Sequence, residues 1–226
     1  MDRETKRPRR KAIKGTCRFC DKNLTPTPLT KHLATCEKRL SLNKKSTEDH
    51  QAASSASSST TEDGLSRMLH LLVNDQYRPM FFLHLEVRED TTLGKLDDYL
   101  HEIWMDCGGC GHLSQFGDFG SRTTPKSTTV GDAFRNKGDE LIYLYDMGST
   151  NHVQIALVAE RRGVPVASHR IQLLARNQCP PDLPGGVNSP RFDRCGPLPG
   201  LTTPPGTPPQ RINGDARGYD EDGDDW

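Results

Sequence analysis

The second half of the chain carries the clearest pattern of apolar and polar positions. Residues 80–87 read Met-Phe-Phe-Leu-His-Leu-Glu-Val, an apolar run with the length of a strand. Leu93, Leu96, Leu100 and Ile103 then recur at helical spacing, and the threonines at positions 91 and 92 are suited to cap the start of a helix. The pattern predicts a strand followed by an amphipathic helix that packs on a sheet.

Further apolar runs extend this unit towards the C-terminus. Residues 140–145 and 152–158 predict two strands, and the turn-forming residues between them indicate a hairpin. Residues 130–134 predict a short helical turn, and residues 169–174 a fourth strand. Together these elements predict an α+β domain over residues 65–178, with a compact, mainly antiparallel sheet packed on helices. Its expected core is Phe82, Leu85, Leu96, Leu100, Ile103, Ile142, Leu144, Val153 and Ile155.

Composition divides the rest of the chain. Residues 41–64 are rich in Ser and Ala and predict a flexible linker, which would leave the orientation of the flanking parts free. Residues 179–226 contain ten of the 16 prolines, with many Gly and Asp, and predict a disordered tail. Only 33% of the 226 residues are apolar, so part of the chain must lie outside any packed core.

Four residues near the N-terminus have the spacing of metal ligands. Cys17, Cys20, His32 and Cys36 read Cys-x2-Cys-x11-His-x3-Cys. The first pair can form a knuckle around a zinc ion, and His32 and Cys36 are about one helical turn apart. Four protein ligands would close the coordination sphere, so the pattern predicts one structural zinc ion without a catalytic position. The alternative is a cluster of reduced cysteines in a disordered basic arm.

The residues around these ligands favour the zinc hypothesis. Thr27 and Pro28 predict the start of a helix, Leu29 and Leu33 form its apolar stripe, and Phe19 can pack beneath it. Residues 16–40 therefore resemble a two-Cys two-His zinc finger in which cysteine replaces the last histidine.

The zero net charge conceals a strongly basic N-terminal end. Residues 1–45 contain fourteen Lys or Arg against four Asp or Glu, so the remainder carries an excess of about ten negative charges. A basic arm over residues 1–15 beside a zinc finger is suited to the phosphates of nucleic acid, although a solvated disordered arm is the simpler alternative. The residues expected to contact nucleic acid are Arg7, Arg9, Arg10 and Lys11 on the arm and Lys31, Lys38 and Arg39 on the finger helix.

A second cysteine cluster lies in the predicted domain. Cys107, Cys110 and His112 include another Cys-x2-Cys pair, which could bind zinc or exchange thiols, but no fourth ligand stands near them. We favour reduced, structural cysteines in a glycine-rich turn as the explanation of this pattern. The seven cysteines are an odd number without a regular disulfide framework, which indicates a reducing compartment.

Residues 80–104, the segment Cys110-Gly-His-Leu-Ser114 and the segment Tyr143-Leu-Tyr-Asp-Met-Gly148 resemble the plasmid Ri open-reading-frame-three family. The resemblance covers residues 80–177. It implies a compact α+β domain and an association with plasmids and transposases, and it implies no assigned reaction. Met147 stands where the family pattern has phenylalanine, and a Pro/Gly tail follows Asn177 in place of a cysteine-rich ending.

These patterns predict a non-enzymatic zinc-finger protein that binds nucleic acid, in the first place DNA, in the setting of a plasmid or transposable element. The alternatives are a zinc-dependent protein-interaction adaptor that docks a partner through the second domain, and more remotely an enzyme of a mobile element. The chain has no apolar run of membrane-spanning length, which predicts a soluble protein. In a bacterium it would be cytoplasmic, whereas in a eukaryote the basic residues 6–11 would favour nuclear import.

Overall fold

The computed structural model describes residues 14–56, 65–77, 82–105, 113–117, 123–146, 150–166 and 169–177. Its strands form one eight-stranded sheet in the order β2-β1-β8-β4-β3-β7-β6-β5, and each neighbouring pair is antiparallel. The predicted α+β fold with a mainly antiparallel sheet is therefore confirmed. The strands are β1 (Gly15–Cys17), β2 (Asn23–Leu24), β3 (Ser66–Asp75), β4 (Phe82–Arg88), β5 (Ser114–Phe116), β6 (Glu140–Tyr145), β7 (Asn151–Gly163) and β8 (Ile171–Asn177). The helices are α1 (Pro26–Thr35), α2 (Glu37–Ala56), α3 (Leu93–Leu100) and α4 (Val130–Ala133), and a π-helical turn at His101–Met105 follows α3.

Helices cover both faces of the sheet. Side chains of a strand alternate between the two faces, so neighbouring residues of β3 and β4 enter different cores. The larger core contains Leu71 and Leu85 and packs against α3 and α4. The smaller core contains Phe82 and Leu174 and packs against α1. The sheet is thus the middle layer of three.

The helix predicted after β4 forms where the apolar spacing places it. Leu93, Leu96 and Leu100 are fully buried against the larger core. The hydroxyl of Thr92 accepts a hydrogen bond from the backbone N–H of Lys95 at 3.3 Å and caps the first turn. The sequence therefore identified the buried face of α3, and one of the two threonines predicted as caps, Thr92, is the N-cap.

In β6 the buried face differs in part from the prediction. Ile142 was expected in the core, but it is only half-buried, whereas Tyr143 and Tyr145 are buried in the larger core. Leu144 is buried as expected. Tyrosine is amphipathic, so its place in a core depends on a partner for its hydroxyl that the sequence of β6 does not show. The side chain of Asp97 supplies that partner to Tyr143.

The finger and the second domain are not joined as flexibly as residues 41–64 led us to expect. Residues 41–56 belong to α2, and Ser46 donates a hydrogen bond to the carbonyl of Pro165 at 3.1 Å. In addition, β1 of the finger pairs with β8 of the second domain. The linker prediction was wrong for this part because tertiary contacts stabilise a helix that its Ser/Ala-rich composition alone does not favour. Residues 57–64 lie outside the described residues.

One central strand was not predicted, and the bounds of another strand differ from the prediction. The strand β3 lies between β4 and β7 in the middle of the sheet, although its Leu-rich run gave no strand prediction. Conversely, β8 was expected at residues 169–174 and is found at Ile171–Asn177. Residues 179–226 lie outside the described residues. No described helix is long and apolar enough to span a membrane.

Candidate metal centre

The four predicted ligands come together at one place. One ligand atom from each of Cys17, Cys20, His32 and Cys36 lies within 4.8 Å of the other three. The Sγ atoms of Cys17 and Cys36 are 3.9 Å apart, and Cys20 Sγ is 3.1 Å from His32 Nε2. Ligands about 2.3 Å from a tetrahedral zinc ion would be about 3.8 Å from one another. This group, called the Cys3His cluster below, could therefore hold one metal ion.

A tight turn presents the first two ligands. The turn joins β1 to β2, the N–H of Cys17 bonds to the carbonyl of Lys22 at 3.0 Å, and the N–H of Asp21 bonds to the carbonyl of Cys17 at 2.9 Å. Asp21 adopts a left-handed backbone with φ of 60°, a conformation that aspartate tolerates better than most residues. The turn therefore fixes Cys17 and Cys20 on one side of the cluster.

The helix α1 presents the other two ligands. It begins at Pro26 with Thr25 at the N-cap, two residues before the start predicted from Thr27 and Pro28. Proline fits the first turn because that turn has no intrahelical partner for its N–H groups. Leu29 and Leu33 are fully buried as predicted, and each contributes about 1.5–3 kcal/mol of hydrophobic stabilisation. This anchoring directs His32 and the C-cap residue Cys36 towards the turn.

Burial makes a free thiolate unfavourable at Cys17. It raises the pKa of Cys17 to about 11, so this thiol stays protonated unless a cation lies beside it. Burial, together with the charge of Lys22, lowers the pKa of His32, which favours the neutral imidazole that coordinates metals. A bound cation would deprotonate the thiol and become the counter-charge of the site.

The finger rests on the sheet through close packing. Phe19 packs against the smaller core, as predicted, together with Phe82 and Leu174 from the second domain. At Gly15 a Cβ atom would lie 2.7 Å from Phe82 Cζ and 2.8 Å from Leu29 Cδ2, so only glycine fits there without movement. The Cys3His cluster and the sheet therefore belong to one packed unit.

The structure describes three of the seven residues predicted to contact nucleic acid. Lys31 and Lys38 are exposed, and their role in binding nucleic acid stays a prediction. Arg39 is only 6% exposed, and its Nη2 atom lies 2.6 Å from Glu86 Oε2. Its assignment as a nucleic-acid contact was wrong, because the guanidinium is committed to a buried carboxylate on β4. The arm residues Arg7, Arg9, Arg10 and Lys11 lie outside the described residues.

Arg39 belongs to a buried ionic group with Glu86 and Arg161, called the Glu86 cluster below. Arg161 donates to both carboxylate oxygens of Glu86, at 2.6 and 3.0 Å, and Glu86 is 1% exposed. Burial alone would raise the pKa of Glu86, but the hydrogen bonds and charges of the two arginines outweigh it and lower that pKa. This cluster joins α2 to the sheet, and nothing in the local sequence reveals it.

A second polar cluster, also missed by sequence reasoning, surrounds Asp97 on α3. Its carboxylate accepts hydrogen bonds from Ser114 at 2.7 Å, Tyr143 at 2.8 Å and Lys126 at 2.6 Å, and His101 Nε2 lies 3.4 Å away. Burial would raise the pKa of Asp97, but these partners hold it far below its ordinary value. The Asp97 cluster ties α3 to β5 and β6. The only sign of the Asp97 cluster in the sequence is a carboxylate beside the apolar stripe of α3.

The predicted second cysteine cluster cannot be placed. Cys107, Cys110 and His112 lie outside the described residues. Within the part of the chain that the structure describes, the Cys3His cluster is the group of His, Cys, Asp or Glu side chains with the geometry of a metal site.

Fold and cluster together describe a Cys3His group that could hold a metal ion, on strands that continue an antiparallel α+β sheet. The chain matches no protein-family model and no curated protein. Among solved structures it is similar to the crystal structure of a protein of unknown function, MM3350, from Methanosarcina mazei, with 21% identity and a TM-score of 0.38. The superposition covers 46% of this chain and 66% of that protein, so the chain spans slightly less than two thirds of its length.

Proposed function

We propose that the chain is a non-enzymatic, zinc-dependent nucleic-acid-binding protein whose first target is DNA. The closed Cys3His cluster at the basic end of the chain is the observation that supports this most. Three thiolates and one imidazole favour zinc among the common metals, and four protein ligands leave no position for a substrate. The zinc ion would then be structural and would hold the turn against α1.

Exposed basic residues around the finger support contact with phosphates. Lys31 and Lys38 lie on α1 and α2, and Lys14 and Lys22 are exposed at the two strands of the finger. The basic arm over residues 1–15 adds further positive charge. Such contacts bind the backbone without reading bases, so the proposal predicts strong dependence on salt and little sequence preference. The resemblance to the plasmid Ri family suggests DNA of a plasmid or transposable element as the setting.

Fluorescence anisotropy with a labelled duplex over a series of salt concentrations tests the proposal. Replacing Lys31 and Lys38 by Gln should reduce the slope of log K against log salt by about two, because each phosphate contact contributes about one. The matched control replaces Lys95 and Lys137 by Gln, which removes the same charge from exposed positions away from the finger. An equal effect of both pairs would contradict a finger-centred interface.

A variant of the metal site separates the finger from the arm. Cys17→Ser with Cys20→Ser should weaken binding if the zinc-loaded finger positions the phosphate contacts. Equal binding by this variant and the parent protein would assign all binding to the basic arm. A labelled single-stranded RNA measured in the same way would establish the preference between DNA and RNA.

A protein-interaction adaptor is the second candidate. The helix α2 supports this candidate, because Arg39 is buried whereas Leu40 and Leu42 are 48% and 43% exposed. Apolar side chains at the surface suit contact with protein better than contact with phosphates. The adaptor predicts weak nucleic-acid binding that does not depend on salt, so the same anisotropy series distinguishes the two candidates.

A further inference from the structure

A cavity lined by both polar and apolar side chains lies between α2 and the sheet, next to the Glu86 cluster. Its volume is about 160 Å³, and its lining includes Arg39, Asn43, His70, Glu86 and Arg161. The exposed residues Leu40 and Glu160 also line it, so the cavity reaches the surface. This volume is below the range of about 300–1,000 Å³ for drug-sized ligands, but it is sufficient for a small ion with a few waters.

Two buried polar atoms among the lining residues have no hydrogen-bond partner within the part of the chain that the structure describes. They are Arg39 Nε and Asn43 Oδ1, and their residues are 6% and 9% exposed. An unsatisfied buried polar group costs about 1–3 kcal/mol, so such atoms are normally paired. An exchange of the O and N atoms of the Asn43 amide would turn its unpartnered acceptor into a donor, and the two orientations are nearly indistinguishable by shape. The cavity can therefore offer an N–H donor from Arg39 and, in the exchanged orientation of the amide, a second N–H donor from Asn43.

The charges around the cavity do not cancel. Arg39 and Arg161 both pair with the single carboxylate of Glu86, so these three side chains together carry one excess positive charge. Glu160 is already paired with Arg67 at 2.6 Å. Burial lowers the pKa of His70 well below its ordinary value, so this histidine adds no charge. Water would satisfy the free donors but would leave the excess charge without a counter-ion.

We propose that this cavity binds a small oxyanion, a phosphate or a carboxylate, through the Nε donor of Arg39 and the amide of Asn43, beside the excess positive charge of the Glu86 cluster. Arginine is suited to both groups because its planar donors match the oxygens of either one. The phosphates of a nucleic-acid duplex do not fit this position, because the Arg39 guanidinium is buried beneath α2. The site is therefore separate from the proposed nucleic-acid interface and does not depend on it.

Calorimetric titration and thermal unfolding of the full-length metal-loaded protein test the proposal with inorganic phosphate and with acetate. Sodium chloride at equal ionic strength controls for screening. We expect at least one of the two oxyanions to bind one equivalent with a dissociation constant of about 1 mM or tighter, and to raise the unfolding midpoint. The stronger of the two identifies the class of anion. Absence of saturable binding by both, beyond the effect of chloride, would overturn the proposal.

Substitutions locate the binding. Asn43→Leu should weaken it at least tenfold, whereas Asn136→Leu, the same change at an exposed position, should leave it unchanged. Arg39→Lys is a second test that keeps the charge beside Glu86 but removes the free Nε donor, and it should also weaken binding. If the oxyanion binds both cavity variants as tightly as the parent protein, it binds elsewhere and the proposal is wrong.

Discussion

Replacing Glu86 by Gln should destabilise the protein far more than a typical surface change. The substitution keeps the size of the side chain but leaves Arg39 and Arg161 without their shared carboxylate. Both arginines lie within 2.6 Å of it, and the Glu86 side chain is 1% exposed. Removing one partner of a buried ion pair costs about 3–5 kcal/mol, because the remaining charge is neither solvated nor paired. At about 2–4 °C per kcal/mol for a chain of this size, the unfolding midpoint should fall by roughly 6–20 °C.

Urea unfolding of the metal-loaded protein in phosphate-free chloride buffer measures this cost. Glu48→Gln is the matched control on α2, because Glu48 forms an exposed pair with Lys44 that should contribute no more than about 0.5 kcal/mol. The folded-state pKa of Glu86 is lowered, so its contribution is complete above the ordinary glutamate pKa of about 4.3 and is lost as the pH falls through the lower folded value. Equal losses for the two variants would refute the idea that the Glu86 cluster holds α2 on the sheet.

Three other perturbations test the packing and the two remaining clusters. Gly15→Ala should cost about 1–3 kcal/mol in urea unfolding because its Cβ would lie 2.7 Å from Phe82 Cζ, and an unchanged midpoint would contradict that close contact. Asp97→Asn should lower thermal stability by about 1–3 kcal/mol at neutral pH. The difference in stability between this variant and the parent protein should shrink as the pH falls below the ordinary aspartate pKa of about 3.9, because the folded-state pKa of Asp97 is lower. A difference that stays constant with pH would argue against this carboxylate as the cause. Treatment with a chelator should lower the unfolding midpoint and make the cluster thiols reactive to a thiol reagent, and an unaltered midpoint would mean that no metal stabilises the fold.

The Cys3His cluster could be predicted from sequence because its four residues are close together along the chain. All four lie within twenty residues, and the chain between them forms one turn and one helix. The knuckle spacing and the apolar stripe of α1 therefore contain most of the geometry. The helix α3 was predictable for the same reason, since Leu93, Leu96 and Leu100 bury one continuous face.

The ion clusters could not be predicted because their partners are distant in sequence. Arg39 and Glu86 are 47 residues apart, and Asp97 and Tyr143 are 46 apart. Before the sheet is known, a basic residue on a helix beside a zinc finger is indistinguishable from a phosphate contact. This is why Arg39 was assigned to nucleic acid.

The central strand β3 was missed for a different reason. Residues 68–73 of this strand read Met-Leu-His-Leu-Leu-Val, a short apolar run broken by His70, and seven of the ten residues of Ser66–Asp75 are buried on one face or the other. Such a run has neither the alternation of a half-exposed strand nor the spacing of an amphipathic helix. Its pairing with β4 and β7, rather than its own pattern, decides its structure.

The coordination of the metal tests the account most directly, because the finger, its packing on the sheet and the proposed function all depend on it. X-ray absorption spectroscopy on protein purified with zinc should show one zinc per chain, with three sulfur ligands at about 2.3 Å and one nitrogen at about 2.0–2.1 Å. Cys36→Ser should replace one sulfur by a lighter atom or abolish binding. A protein that takes up no zinc, or a first shell made of oxygen and nitrogen alone, would contradict the account.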